Sequence, residues 1–566
     1  MAEMKERLEK AFKEVNELLE ICGVASISIG VLHEGNTLFT RSVGLRNVEE
    51  DLPATPETTY LLASCSKSFL SAATGILVNE GKVAWNDPVS KHVPGFDPVG
   101  DPQIGAKATI RDALRHTTGL SRPQIFLLGP NCSIVAKEED YVGLVNCAPT
   151  ENDAGQRFNS WWWYNNLPYG LTSLALQNAA GKRYSDLLRE RIIKPLGMNN
   201  TAVSAADLSA NPDRAHGYAK LGNGDYVRLN TGDAYTTENH APVLGFIGVQ
   251  SSVVDLLKFS AASMDAFAQE QDGIETTVQA NPLKEMSTIW NVQWTRPTED
   301  GFDNQLAFAL GWYRGYLPTS GLGYVGMNYR VKDQDTAEYD RRYILGRDSP
   351  RRFFVGHQGN ANGYASAMYL APESKSAVVA LSNGQNLGDA ADFAAKIMLQ
   401  ALFDTKPHVD HLELARKEAA LHRHWYEDVL VDWLAHSDVV HKERPLSDYV
   451  GDYHGYNTTV SIFEREETGH LALTINGHTE SMCDLELYAQ DQYSFLPRTR
   501  DVWLKNGMMD YEHYFVGVLR FRRDSSGTIE GLKWEYEPED VAWFSKVQGE
   551  KAKGSLLMRS VGSILA

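Results

Sequence analysis

Ser64-Cys65-Ser66-Lys67 follows the extended approach Thr58-Thr59-Tyr60-Leu61-Leu62 and precedes an apolar series, Phe69, Leu70, Ala72, Ala73, Ile76 and Leu77, that stops at Asn79-Glu80-Gly81. The spacing predicts a turn running into a helix. Positions i and i+3 share a helix face, so Lys67 can reach the hydroxyl of Ser64 and help to remove its proton. The free N–H groups and positive dipole end of such a helix favour a developing oxyanion.

S-x-x-K alone is a weak signal, because a serine there can simply cap a helix beside a solvated lysine. Two further short motifs follow in order. Tyr164-Asn165-Asn166 has Y-x-N spacing, and His357-Gln358-Gly359 lies between strand-like Arg352-Phe353-Phe354-Val355 and strand-like residues 364–370.

With these motifs the chain resembles the penicillin-recognising serine hydrolases, which include class C β-lactamases, DD-peptidases, D-aminopeptidases and related esterases. The resemblance extends to residues 108–120, Ala-Thr-Ile-Arg-Asp-Ala-Leu-Arg-His-Thr-Thr-Gly-Leu, and to the turn Lys194-Pro195-Leu196-Gly197-Met198. It also takes in Gln250-Ser251-Ser252-Val253-Val254-Asp255-Leu256 and Ala309-Leu310-Gly311-Trp312, so that it spans roughly residues 24 to 400. The third motif departs from the β-lactamases and DD-peptidases, which carry a lysine where this chain has His357. A histidine is mostly neutral at pH 7 and anchors a substrate carboxylate poorly. Members with H-x-G, such as D-aminopeptidases and some esterases, are the nearer resemblance.

The resemblance implies that Ser64 is the acylated nucleophile and that Lys67 and Tyr164 share the movement of its proton, with the choice of base left open. It implies that Asn166 fixes Lys67 and the substrate carbonyl side. The N–H groups of Ser64 and Asn360 would form the oxyanion hole, and His357 and Gly359 would line the edge strand. The same residues have plainer readings. Tyr164 follows Trp161-Trp162-Trp163, and aromatic runs usually pack a core. His116 reads as a structural turn histidine, and Cys65 as a small buried filler. Glycine-rich 356–363 leads into a strand, which argues against a phosphate cradle.

The chain has 566 residues and a net charge of −19, so it exceeds one hydrophobic core and repels nucleic acid and anionic membranes. No stretch is long and apolar enough to span a bilayer. The charged start, continuing through Leu8, Phe12, Val15 and Leu19 to Gly23, reads as an amphipathic helix and not a signal peptide. Five scattered cysteines fit reduced thiols in the cytoplasm.

Residues 24–32 and 37–43 predict a hairpin around His33-Glu34-Gly35-Asn36, a helical region follows from Ser64 to about Met198, and strands return over 353–381. The fold expected is an α/β/α sandwich with an antiparallel sheet and a helical insert over residues 1–407, closed by a helix over 389–403. A charged helical connector is expected over 408–444, with His408, His411, His422 and His424 on solvated faces and no metal. From 445 to 566 short strands, 460–463, 471–475, 516–521 and 529–536, punctuated by Gly477, Gly527 and Gly531, predict an antiparallel β-barrel resembling the lipocalin-like domain appended to many family members.

The function expected is hydrolysis of an ester or amide, including a peptide with a D-residue, through an acyl-enzyme. Two alternatives are acyl transfer to another alcohol or amine in a natural-product pathway, for which Trp161–Trp163 would supply a dry wall, and a non-catalytic binding or scaffold role. No cofactor is expected. The partner is a small-molecule or short-peptide acyl donor, and the oligomeric state is left open.

Overall fold

The computed structural model describes residues 1–150, 158–273, 281–295, 306–323, 325–384, 387–438, 444–508, 511–538 and 540–547. Parts of the connector and barrel segments named above, 439–443 and 548–566, lie outside the described residues.

Among the described residues the main sheet has nine strands, all antiparallel to their neighbours. Its centre is Arg352–Ala361, Tyr364–Ala371 and Ser376–Ser382, and the hairpin Ser26–His33 and Asn36–Asn47 continues it toward one edge. The hairpin turns at Glu34-Gly35, both with positive φ (50° and 78°), a two-residue geometry that matches the twist of the flanking strands. Ser26–His33 is buried on both faces, with Ile27, Ile29 and Val31 on one and the small Ser26, Ser28 and Gly30 on the other. Ile27, Ile29 and Val31 enter the core shared with the terminal helices. On the opposite face Gly30 lies against Leu257 and Val253, with a Cβ there falling 3.1 Å from Leu257.

One layer of helices comes from the two ends of this region. The N-terminal helix Ala2–Cys22 buries Leu8, Ala11, Val15, Leu18 and Cys22 and stops at Gly23 in the left-handed conformation, φ 67°. Ala390–Phe403, capped by Asp389, packs beside it, and Arg7 Nε donates to the Ala401 carbonyl at 3.0 Å. Each large apolar side chain removed from water here is worth about 1.5–3 kcal/mol. The other face carries Val253–Gln271 and the helical insert, with Ser66–Asn79 and Leu167–Ala180 at its heart.

The connector helix is His411–Ala435. The sequence reading of its histidines as solvated is corrected at two positions. His411 and His422 are buried and both are held near pKa 3, mainly by desolvation. His422 accepts from Arg330 Nε at Nδ1 and donates from Nε2 to the Met327 carbonyl. His424, by contrast, is exposed and faces Glu427.

Beyond the connector, eight antiparallel strands from Gly451–Gly455 to Asp540–Lys546 close into a barrel. Four of them lie at or beside the segments read from sequence. Gly451–Gly455, His478–Ala489, Gln492–Ser494 and Asp540–Lys546 were not foreseen, and residues 514–517 form a 3₁₀ turn before the strand Val518–Arg523.

Candidate active site

Ser64 sits in a 3₁₀ turn, Ala63–Cys65, that runs directly into the helix Ser66–Asn79. Ala63 has φ 48°, a left-handed backbone that costs a non-glycine residue about 1–2 kcal/mol. The surrounding bonds hold that strain. Leu62 N–H donates to Val249 O at 2.8 Å, Val249 N–H donates to Ser66 Oγ at 3.1 Å, and Ser366 Oγ donates to Leu62 O at 2.6 Å. Ser64 does not cap the helix with its side chain, which leaves its hydroxyl for other work.

Lys67 Nζ lies 2.8 Å from Ser64 Oγ and 3.3 Å from the Phe246 carbonyl oxygen, to which it donates. The amine is fully buried under three rings, 4.9 Å from the Tyr164 centroid, 5.3 Å from Tyr169 and 5.8 Å from Phe246. Burial without a carboxylate partner holds its pKa well below that of a free lysine. The Tyr164 hydroxyl approaches Ser64. The side chain keeps part of its surface on the cavity but lies deep in the protein, and desolvation raises its pKa above that of a free phenol. Ser64, Lys67 and Tyr164 thus come together at one place, the first two joined by a hydrogen bond and the third lying over the amine on the same cavity.

The two histidines of the motifs pack behind this cluster. His116 stacks 4.5 Å from Tyr164 and 4.8 Å from Tyr169, and its Nδ1 accepts from Asn165 N–H at 3.1 Å, which puts the proton on Nε2. His357 is fully buried with its ring 6.3 Å from that of Tyr164, and Nδ1 donates to the Gln358 carbonyl. Desolvation and the neighbouring Lys67 lower both imidazoles, His357 to about 3, so neither carries charge at neutral pH. His357 does not reach the cavity wall, and its strand, Arg352–Ala361, lies inside the sheet and not at its edge; it faces Ser64 through Gly359, beyond Gly356, the last residue paired with the neighbouring strand Tyr313–Leu317. A Cβ on Gly359 would fall 2.1 Å from Leu62 O and 2.8 Å from Ser64 N.

A cavity of about 190 Å³ opens on Ser64, with Tyr164, Asn166, Asn360, Tyr235 and Met327 among its walls. Asn165 is structural: its Nδ2 ties the Leu120 and Ser121 carbonyls, and its Oδ1 accepts from Leu167 N–H at the start of the next helix. Asn166 donates from Nδ2 to Gln124 Oε1 at 2.5 Å, while its Oδ1 is buried without a hydrogen bond and so is not on Lys67. The second acceptor that holds Lys67 is instead the Phe246 carbonyl.

Asn360 lines the cavity and its side chain approaches Asp389, the cap of the helix behind the sheet. Trp161 is exposed, Trp162 packs on Phe308 at 5.1 Å, and Arg122 lies 4.6 Å over Trp163. None of the three tryptophans belongs to the cavity lining, so the dry wall expected of them is corrected to Ile247, Val325 and Met327. Gln124, Asn362 and Glu512 also line it and were not foreseen, because no motif marks them and Glu512 arrives from the barrel.

Residues 8–403 match the Beta-lactamase family. The chain belongs to that family. It is 24% identical over 567 residues to the unguisins hydrolase ungD' of Aspergillus campestris, covering 96% of this chain and 92% of that relative. A penicillin-binding protein of Bacillus subtilis is 29% identical over 219 residues, 38% of this chain and 45% of that protein. The octameric penicillin-binding protein homologue of Pyrococcus abyssi superposes with a TM-score of 0.54 at 19% identity, over 95% of this chain and 99% of that one, a likeness of fold.

Proposed function

We propose that this β-lactamase-family chain is a serine hydrolase that forms an acyl-enzyme at Ser64 on an ester or amide, including peptides with a D-residue, and passes the acyl group to water. The observation that carries this reading is the 2.8 Å contact between Ser64 Oγ and a buried Lys67 whose charged form is disfavoured. A neutral amine accepts the hydroxyl proton as Oγ attacks the carbonyl carbon. The phenol of Tyr164, kept protonated by burial, relays a proton to the leaving group, so Lys67 and not Tyr164 is the base. The N–H groups of Ser64 and Asn360 stabilise the oxyanion.

Among the described residues lining the cavity none is basic, and Glu512 is acidic. That supports a donor without a carboxylate to anchor, and argues against β-lactams as the main substrate. The relative spanning nearly the whole chain is named a hydrolase, which agrees with water as acceptor. The three tryptophans give acyl transfer no support.

Intact-mass measurement after a fluorophosphonate, with p-nitrophenyl esters, D-amino acid amides and a chromogenic cephalosporin as substrates, tests the proposal. One adduct on wild type and none on Ser64→Ala is the result expected. An equal adduct on Ser64→Ala ends it.

A further inference from the structure

The 3₁₀ turn Gln124–Phe126 faces two ways. Gln124 accepts the Asn166 Nδ2 proton on the cavity wall, and two residues on, Phe126 leaves the hydrolase region altogether. Its fully buried ring sits among four barrel aromatics, 5.2 Å from Trp534, 5.4 Å from Phe544, 5.5 Å from Tyr536 and 5.6 Å from Tyr456. The turn between them is short and internally bonded, with Phe126 N–H to Pro123 O at 3.1 Å and Leu127 N–H to Gln124 O at 2.8 Å. Its approach is fastened to the same barrel strand by Arg122–Glu537 at 2.8 Å and by the hydroxyls of Ser121 and Tyr536 at 3.3 Å. A displacement of the Phe126 ring is therefore carried to Gln124.

We propose that Phe126 is a positioning residue: by enclosing its ring, the barrel holds Gln124 Oε1 where it orients the Asn166 carboxamide beside Ser64. With one Nδ2 proton on Gln124, the buried Asn166 Oδ1 is an acceptor on that wall fixed in direction before substrate arrives. On this reading the barrel is part of the reaction apparatus and not an appended carrier, and it rests on the acyl-enzyme reading of the cavity. Asn362, another wall residue, is tied to the barrel in the same manner through Nδ2 to Gly507 O at 2.8 Å.

A double-mutant cycle tests it, using Phe126→Ala, Gln124→Ala and the pair, with kcat and KM on an ester that wild type turns over and with melting curves. Each single change should lower kcat roughly tenfold or more, since small misplacements at a reacting centre are costly. The pair should fall no further than either alone, and Phe126→Leu should recover most of the loss. Phe521→Leu, in the barrel core against Tyr449 and Tyr453, supplies a destabilised control that should keep its kcat. The proposal is overturned if the two effects multiply, if Phe126→Ala keeps wild-type kcat, or if Phe521→Leu loses as much. Should Phe126→Ala not fold, Phe126→Val, which also empties most of the ring's place, runs the same cycle with Gln124→Ala under the same criteria. Failure of wild type to take a fluorophosphonate on Ser64 would sink the hydrolase reading itself, a result distinct from all of these.

Discussion

Gly359 passes the Leu62 carbonyl so closely that a single added carbon would lie 2.1 Å from its oxygen. The contact fixes how near the strand Arg352–Ala361 comes to the nucleophile turn. Gly359→Ala should push strand and turn apart and separate the two oxyanion donors. Turnover is expected to fall about 10²-fold or more, read as kcat/KM on an ester with far-ultraviolet circular dichroism as the folding control. An unchanged rate would mean that the strand edge is not part of the oxyanion site.

Burial lowers the Lys67 pKa, so its basic form persists well below the pH at which a free lysine loses its proton. Activity should therefore be present above its depressed pKa and lost as pH falls through it. Lys67→Arg keeps a permanent cation and removes the base, and a drop of about 10²–10⁴ in kcat is expected. A pH–rate profile of wild type whose acid limb begins only near pH 10 would contradict the assignment.

Tyr164→Phe retains the ring that covers Lys67 but removes the hydroxyl that approaches Ser64. Turnover should fall by about 10² or more. The loss should be greater for amides than for p-nitrophenyl esters, whose leaving group needs no proton. Steady-state kinetics on both substrate types would reveal it, and equal losses would argue for a different proton donor.

Asp389 caps the helix Ala390–Phe403 and is buried beside Asp392, which is bonded to Lys396, Asn328 and Tyr369. Desolvation and the Asp392 charge raise its pKa. The folded protein then binds a proton that the unfolded chain has released, so stability should decline as pH rises from the ordinary carboxylate range toward the raised value. Asp389→Asn keeps a capping oxygen and should flatten that decline. Urea unfolding at pH 5, 7 and 9 for both proteins would check it, with parallel curves as the contrary outcome.

Glu512 brings a carboxylate to the cavity from the barrel. Glu512→Gln should improve kcat/KM for substrates bearing a carboxylate by roughly threefold, because a negative charge on the cavity wall is removed. Neutral esters should change little. A paired assay of a neutral ester and its carboxylated analogue measures the ratio.

The local patterns were readable where a short-range rule governs them. Ser64 and Lys67 meet because helix geometry sets their spacing, Gly23 ends the first helix through its backbone freedom, and Glu34-Gly35 makes the hairpin turn. Tyr164 and His357 were locatable only through motif resemblance, since nothing local says that they converge. Gln124 and Glu512 carried no signal, because their place depends on how the barrel seats on the insert. His411 and His422 looked solvated because the mixed composition of the connector hides which face packs inward. The short barrel strands Gln492–Ser494 and Gly451–Gly455 lacked enough alternation to stand out.

The strand Ser26–His33 has as its neighbour a segment made far later, with Ile27 paired to Ser382. At roughly 5–20 residues added per second, the ribosome needs on the order of 20–70 s between the two. During that interval the hairpin of residues 26–47 has one unpaired side, with Ile27, Ile29 and Val31 still uncovered by the closing helix. The first fifty residues of this protein must therefore wait, exposed to other chains, for a sheet completed only as the hydrolase region nears its end.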